Sequence, residues 1–166
     1  MPDPSGWFFD SVTLSNFALS GAVRLVRDRY RSRGFVTTQV VDELTRGVAA
    51  GYAALLDSLA LVDGGSWRVV TLNKAERSTF RQLVSHLGEG EAGTLAAAYH
   101  RHGVAVTDDL AARRTCDDMG IPVTGTIGIL RAIVRDRVLS LADAHDVLRR
   151  MIDAGFRSPM DRLTDR

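Results

Sequence analysis

The stretch "GVAVTDDLAARR", residues 103–114, joins a short apolar run to a pair of acids. The apolar run, Val104 to Val106, ends abruptly at Thr107, Asp108 and Asp109. Short, continuous apolar runs are typical of buried strands in a parallel sheet. Two adjacent carboxylates repel each other unless a cation or other positive groups lie nearby. The stretch therefore predicts a buried strand whose carboxyl end carries concentrated negative charge.

Further short apolar runs alternate with helical patterns along the chain. The strand candidates lie at residues 6–10, 35–36, 67–72, 104–107 and 121–125, with amphipathic or alanine-rich segments between them. One of these segments, residues 13–30, is expected to form a helix with Ser15 or Asn16 near its start. This order predicts an α/β fold built on a buried, mostly parallel sheet.

The length and composition fit one globular domain. The chain has 166 residues, of which 45% are hydrophobic and 25% charged, and this mix allows a sizeable core. We expect a single domain over residues 1–166, with a core at about 6–135 and a C-terminal helix and tail at about 140–166. The formal net charge of +1 neither indicates nor excludes a nucleic-acid partner.

The expected location is the cytoplasm. The lone cysteine, Cys116, cannot form an internal disulfide, which suits a reducing compartment. No apolar stretch approaches the roughly 20 residues of a membrane span, so no membrane association is expected. The opening "MPDPSGWFFD" lacks the basic and long apolar regions of a signal peptide.

Acidic residues recur where the predicted strands end or the next helices begin. They are Asp10, Glu43, Glu89, Glu91, Asp108 and Asp109. Because the carboxyl ends of parallel strands open onto one edge of a sheet, we expect several of these acids to converge there. Clustered carboxylates are costly unless hard cations neutralise them, and Mg²⁺ and Mn²⁺ prefer oxygen ligands. Such a site suits metal-assisted hydrolysis of phosphodiesters.

Most of these acids also have a purely structural explanation. Asp10 and Asp109 could cap the helices that follow them. Glu43, Glu89 and Glu91 lie near helix N-termini, where the helix dipole favours negative charge whether or not a metal binds.

Two arginines after the acid pair carry a similar ambiguity. Arg113 and Arg114 could hold a substrate phosphate near the acidic edge. They could equally pair with Asp108 or Asp117 and have no part in binding.

Four segments together resemble a PIN domain. They are "FFDSVTLSNFALSG" (8–21), "VTTQVVDEL" (36–44), "GEGEAGTLAAAYHRHGVAVTDDLAARR" (88–114), and "GIPVTGTIGILRAIVRDRVLS" (120–140) with "VLRRMIDAGFRSP" (147–159). The resemblance runs from residue 7 to about 163. It is closest to the PIN-like proteins described as predicted nucleic-acid-binding proteins, which are relatives of VapC-type toxins. It implies a three-layer α/β/α fold with a central, mostly parallel, twisted sheet.

The resemblance also implies a Mg²⁺- or Mn²⁺-dependent endoribonuclease built on four acids. On the matching positions, the catalytic and metal-binding acids are Asp10, Glu43, Glu91 and Asp109. Asp108 is then a secondary ligand or a supporting acid. Supporting roles around the ligands fall to Ser11, Thr13, Glu89 and Thr107.

The partners implied by the resemblance are RNA as substrate, a small antitoxin protein and a second copy of the chain. Two positions depart from the family pattern: Val12 stands where many members have a hydroxyl residue, and Glu91 where many have Asp. These departures leave open a PIN-like protein that binds RNA or regulates without cutting. A receiver-like or small nucleotide-binding domain is a weaker alternative, because no Gly-rich phosphate loop follows the first strand.

Overall fold

The computed structural model describes residues 4–164, so the predicted domain limits at residues 1 and 166 lie outside the described range. The five strands are β1 (Trp7–Phe9), β2 (Gly34–Thr37), β3 (Arg68–Val70), β4 (Val104–Val106) and β5 (Val123–Thr124). The α-helices are α1 (Ser11–Leu19), α2 (Val23–Arg29), α3 (Thr38–Ala49), α4 (Leu56–Asp63), α5 (Lys74–Leu83), α6 (Glu89–His100), α7 (Leu110–Met119), α8 (Thr126–Arg135) and α9 (Leu141–Asp153). A 3-10 turn at Ala53–Leu55 precedes α4.

The five strands form one sheet in the order β3-β2-β1-β4-β5, and every neighbouring pair is parallel. In the register of the sheet, Phe8 of β1 lies opposite Phe35 of β2 and Ala105 of β4. At least one helix connects each strand to the next, as parallel pairing requires. The predicted α/β fold with a parallel sheet is confirmed. The strand order reverses between β1 and β4, and the crevice outside their carboxyl ends is where such sheets bind ligands.

Helices cover both faces of the sheet. Phe8 and Phe9 are consecutive residues of a strand, so their side chains point to opposite faces. Phe9 packs in a core with residues of α1 to α4, α8 and α9, where its ring centroid lies 4.5 Å from that of Trp67. Phe8 packs in a second core with residues of α5, α6 and α7, which includes the buried Cys116. This arrangement confirms the three-layer architecture.

The single helix predicted for residues 13–30 is wrong. The segment forms α1 and α2, separated at Gly21, whose φ of +71° lies in the left-handed region. The Ser20 hydroxyl donates to the carbonyl oxygen of Asn16, a local bond that favours ending the helix. The N-cap of α1 is Asp10, so Asn16 lies in the middle of α1 and is buried there.

A helix that crosses a membrane must be both long and apolar. Among residues 4–164, none of the helices combines the length and the apolar character that crossing a bilayer requires.

Candidate functional site

The carboxyl ends of β1 and β4 bring the first and last acids to one edge of the sheet. Asp10 follows β1 directly, and its backbone N–H donates to the carbonyl oxygen of Val106 on β4 at 3.0 Å. Thr107, Asp108 and Asp109 continue from Val106 at the same edge. The strand pairing therefore places these acids around the crevice between β1 and β4.

Among the six candidate acids of this site, Asp10 is the most deeply buried, with 1% of its surface exposed. Its Oδ1 caps α1 by accepting the backbone N–H of Thr13 at 2.7 Å. Its Oδ2 is buried and has no hydrogen-bond partner among the described residues. Burial raises the pKa of Asp10 to about 7. The hydroxyl of Thr107 and the N–H and hydroxyl of Thr13 favour the charged carboxylate and so lower this pKa, whereas the nearby charge of Asp108 raises it. A buried oxygen without a partner is costly, and a proton or a cation would satisfy it.

Glu43 links α3 to the first turns of α1 and α6. The Ser11 hydroxyl donates to its Oε2, and the backbone N–H of Gly90 donates to its Oε1 at 2.9 Å. This approach requires a glycine at position 90, because a Cβ there would lie 2.2 Å from Oε2 of Glu43. The N-terminus of α6 thus fixes the second acid of the predicted set.

Glu91 and Asp109 lie within electrostatic reach of each other. Burial raises the pKa of Glu91 and the backbone N–H of Gly88 opposes that rise, while the charges of Asp109 and Glu43 add to it. Glu91 Oε2 accepts the N–H of Gly88 at 2.8 Å. Asp109 caps α7 by accepting the N–H of Ala112 at 2.8 Å. The negative charges of Glu43 and Asp109 therefore both act on Glu91, which brings three of the four predicted acids into electrostatic contact.

Asp108 differs from the other acids because it accepts four hydrogen bonds, three on Oδ2 and one on Oδ1. Its Oδ2 accepts the hydroxyl of Thr126 at 2.5 Å, the side-chain amide of Asn16 at 3.1 Å and the hydroxyl of Thr13 at 3.3 Å. Its Oδ1 accepts the backbone N–H of Thr126 at 2.8 Å. Asp108 thereby joins the end of β4 to α1 and to the N-terminus of α8.

Three of the four residues expected to support the ligands touch an acid. Ser11 bonds Glu43, Thr13 bonds Asp10 and Asp108, and the Thr107 hydroxyl accepts the backbone N–H of Asp109 at 3.2 Å. Glu89 is exposed, and its carboxylate lies 4.0 Å from the guanidinium of Arg46.

The two arginines expected near substrate differ in their surroundings. Arg113 is half-buried, and its Nη1 donates to the carbonyl oxygen of Thr107 at 3.0 Å. It therefore holds the backbone where β4 ends. Arg114 is exposed on α7, one residue further on.

Asn16, Thr126 and Gly90 contact the predicted acids but were not assigned a role from the sequence. All three lie inside segments that carry the PIN resemblance. A signal for Asn16 was present, because a lone amide between Leu14 and Phe17 on a buried helix face needs a polar partner.

The donor set has the chemistry of a hard-cation site. Between residues 4 and 164, no three His, Cys, Asp or Glu side chains form a group that could hold a metal ion. Oδ2 of Asp10 nevertheless lacks a partner among the described residues, and the charges of Asp109 and Glu43 add to the burial that raises the pKa of Glu91. Carboxylate oxygens are the ligands that Mg²⁺ and Mn²⁺ prefer. The residues present fit a divalent cation by their chemistry.

A family model described as DUF3368, PIN domain, matches residues 7–165. The chain belongs to the PIN domain family. PIN domains are generally nucleases and typically use divalent metal ions. The receiver-like alternative is therefore wrong.

The fold of this PIN domain also occurs among solved structures. The structure of VapBC2 from Rickettsia felis bound to a DNA fragment from their promoter matches with a TM-score of 0.50 at 11% identity. The match covers 72% of this chain and 97% of that chain. At this identity the likeness shows the fold alone. No curated protein matches the chain significantly.

Proposed function

We propose that this PIN domain is an endoribonuclease that hydrolyses RNA phosphodiester bonds with Mg²⁺ or Mn²⁺. The four acids that would hold the cation and the reacting phosphate are Asp10, Glu43, Glu91 and Asp109. The observation that carries the proposal is the buried, unpartnered Oδ2 of Asp10 at the carboxyl end of β1, beside the acids that follow β4.

The backbone and hydroxyl groups of the site orient these acids before any ligand binds. The N–H of Thr13 fixes one oxygen of Asp10 and leaves the other free. Ser11 and the N–H of Gly90 hold the two oxygens of Glu43. A divalent cation bound here would polarise the scissile phosphate and lower the pKa of its attacking water. Orientation by fixed dipoles means that little rearrangement is needed when substrate arrives.

RNA as the substrate rests on the resemblance to VapC-type proteins. The exposed Arg114, one turn into α7 from Asp109, is our candidate for a contact with a substrate phosphate. Arg113 already bonds the carbonyl oxygen of Thr107, so we assign it the role of holding the end of β4.

We also propose that the protein is the toxin of a type II toxin–antitoxin pair, located in the cytoplasm, dimeric and inhibited by a small partner. Support comes from the shared fold with a chain of the VapBC2 complex. Expression of the wild type in a bacterial host should arrest growth, and Asp109→Asn should relieve the arrest. Growth arrest by both forms at equal expression would contradict the toxin proposal.

A PIN-like RNA-binding or regulatory protein that does not cut is the second candidate. Val12 favours it, because this residue is 48% exposed on the first turn of α1, where many family members carry a hydroxyl. A binding protein would retain RNA affinity in Asp10→Asn and show no cleavage as wild type.

Cleavage by single amide variants of the four acids separates the two candidates. We expect each variant to lose at least about 100-fold in cleavage rate, because metal-assisted hydrolysis depends on several kcal/mol of charge stabilisation. Asp118→Asn is the matched control, because Asp118 is an exposed acid near the C-terminal end of α7. Equal cleavage by all variants and the control would contradict the proposal.

A further inference from the structure

Asp108 occupies a different position in the hydrogen-bond network from the four acids of the proposed cation site. It accepts four hydrogen bonds, and three of them converge on Oδ2. By contrast, Oδ2 of Asp10 has no hydrogen-bond partner among the described residues. Oδ2 of Asp108, which already accepts three hydrogen bonds, has no lone pair left for a cation, and Oδ1 is already bonded to the N–H of Thr126.

The donors to Asp108 are themselves fixed. The amide of Asn16 also donates to the Thr126 hydroxyl at 3.3 Å, so the three side chains form a closed triangle. Both Asn16 and Thr126 are buried. The backbone is shaped to fit this triangle, because a Cβ at Gly125 would lie 2.4 Å from Oδ1 of Asp108.

The triangle reaches Asp10 through one residue. Thr13 donates its hydroxyl to Asp108 at 3.3 Å and its backbone N–H to Asp10 at 2.7 Å. The first turn of α1 is therefore held by Asp108 on one side while it holds Asp10 on the other.

We infer that Asp108 is a positioning residue rather than a cation ligand, an inference that rests on the proposed metal site. The triangle of Asp108, Asn16 and Thr126 locks the middle of α1 and the N-terminus of α8 to the end of β4, and the bond from Thr13 to Asp108 adds the first turn of α1. This lock keeps the N–H of Thr13 on one oxygen of Asp10 and leaves the other oxygen available to a cation.

The test compares Mn²⁺ affinity in RNA-free protein by calorimetric titration. Thr126→Val removes the hydroxyl at nearly constant volume, Asn16→Ala removes the amide, and Thr126→Ser keeps the hydroxyl as a matched control. All five acids remain in each variant. We expect Thr126→Val and Asn16→Ala to weaken Mn²⁺ binding by about 10-fold to 100-fold, the range for residues that orient metal ligands. Thr126→Ser should bind like the wild type.

The opposite result would contradict the positioning role. If the triangle did not position Asp10, Mn²⁺ would bind the Asn16 and Thr126 variants as tightly as the wild type or more tightly, because no orienting contact would have been lost. That result, in variants with wild-type far-ultraviolet circular dichroism, would overturn the positioning role and leave the metal site intact. Absence of Mn²⁺ binding by the wild type would instead overturn the metal site itself, and the positioning role with it.

Discussion

At the scale of single residues, the geometry of Asp10 is compatible with both a structural and a chemical role. Oδ1 caps α1, while Oδ2 is buried and has no hydrogen-bond partner among the described residues. Asp109 likewise caps α7 through its Oδ1. A side chain with two equivalent oxygens can fix its own helix with one and offer the other to a ligand.

The raised pKa of Asp10 predicts how its substitution changes stability with pH. The folded state holds this proton more tightly than the unfolded state, with a pKa of about 7 against an ordinary 3.8. The stabilising contribution of the neutral carboxyl is therefore fully present below about pH 4 and is lost as the pH rises to about 7. Asn keeps the cap and carries no charge. Asp10→Asn should thus gain stability relative to the wild type between pH 5 and pH 8, by up to about 4 kcal/mol.

Urea unfolding of metal-free protein at pH 5 and pH 8 measures this difference. Asp118→Asn, at an exposed position, provides the control and should show the same stability relative to the wild type at both pH values. A difference between Asp10→Asn and the wild type that does not change with pH would show that the Asp10 carboxyl is not buried as a neutral group.

The residue scale also shows where sequence reasoning stops. The positions of Asp10 and Asp109 follow from apolar runs that end in an acid, so their convergence at one sheet edge was predictable. The closed triangle of Asp108, Asn16 and Thr126 joins residues up to 110 apart in the chain. No local pattern encodes such a contact, because it depends on how α1 and α8 pack against the end of β4.

At the scale of elements, the N-terminus of α6 does more than favour acids through its dipole. Its Gly90 N–H binds Glu43 of α3, and its Glu91 is held by the N–H of Gly88. Two of the four predicted acids are therefore positioned by one helix terminus. The glycine at position 90 allows the carboxylate of Glu43 to approach the backbone closely.

Gly90→Ala should lower RNA cleavage without lowering the stability of the folded protein. The new Cβ would fall 2.2 Å from Oε2 of Glu43, so that flexible side chain must move. Alanine favours a helix over glycine by up to about 1 kcal/mol, so the free energy of unfolding should stay constant or rise. RNA cleavage should fall by about 10-fold or more, as expected when a metal ligand is displaced.

The control for this substitution is Asp118→Asn. It changes an exposed acid of α7 outside the proposed site and should leave cleavage and stability close to wild type. Full cleavage by Gly90→Ala would show that the placement of Glu43 against α6 is not needed for the reaction.

The sequence predicted the fold class correctly, but it predicted the individual helices with mixed success. Asn73 stands directly before the helical pattern of α5, where an amide favours a cap, and the structure shows it in a reciprocal capping box with Glu76. The break between α1 and α2 was missed, because the helical pattern continues across residues 20–22 and only the left-handed Gly21 interrupts it. A single glycine is weak evidence against a helix when apolar periodicity continues on both sides of it.

At the scale of the whole molecule, a divalent cation should stabilise the folded protein, because the acids converge only in the fold. Saturation at 100 times the dissociation constant contributes about 2.7 kcal/mol, which corresponds to roughly 5–10 °C in Tm for a domain of this size. Mn²⁺ or Mg²⁺ should raise the Tm of the wild type at pH 8, and the shift should be largely lost in Asp10→Asn. An equal shift in both proteins would place the bound cation elsewhere.

The most direct test of the central claim is Mn²⁺-dependent cleavage of a mixed RNA pool by purified protein without any partner. Wild type, Asp10→Asn and Asp118→Asn are compared at pH 8, with and without a chelator. We predict cleavage by the wild type and by Asp118→Asn that the chelator abolishes, and no cleavage by a folded Asp10→Asn. Cleavage that survives Asp10→Asn, or no cleavage by folded wild type supplied with Mn²⁺, would contradict the assignment of these acids as a ribonuclease site.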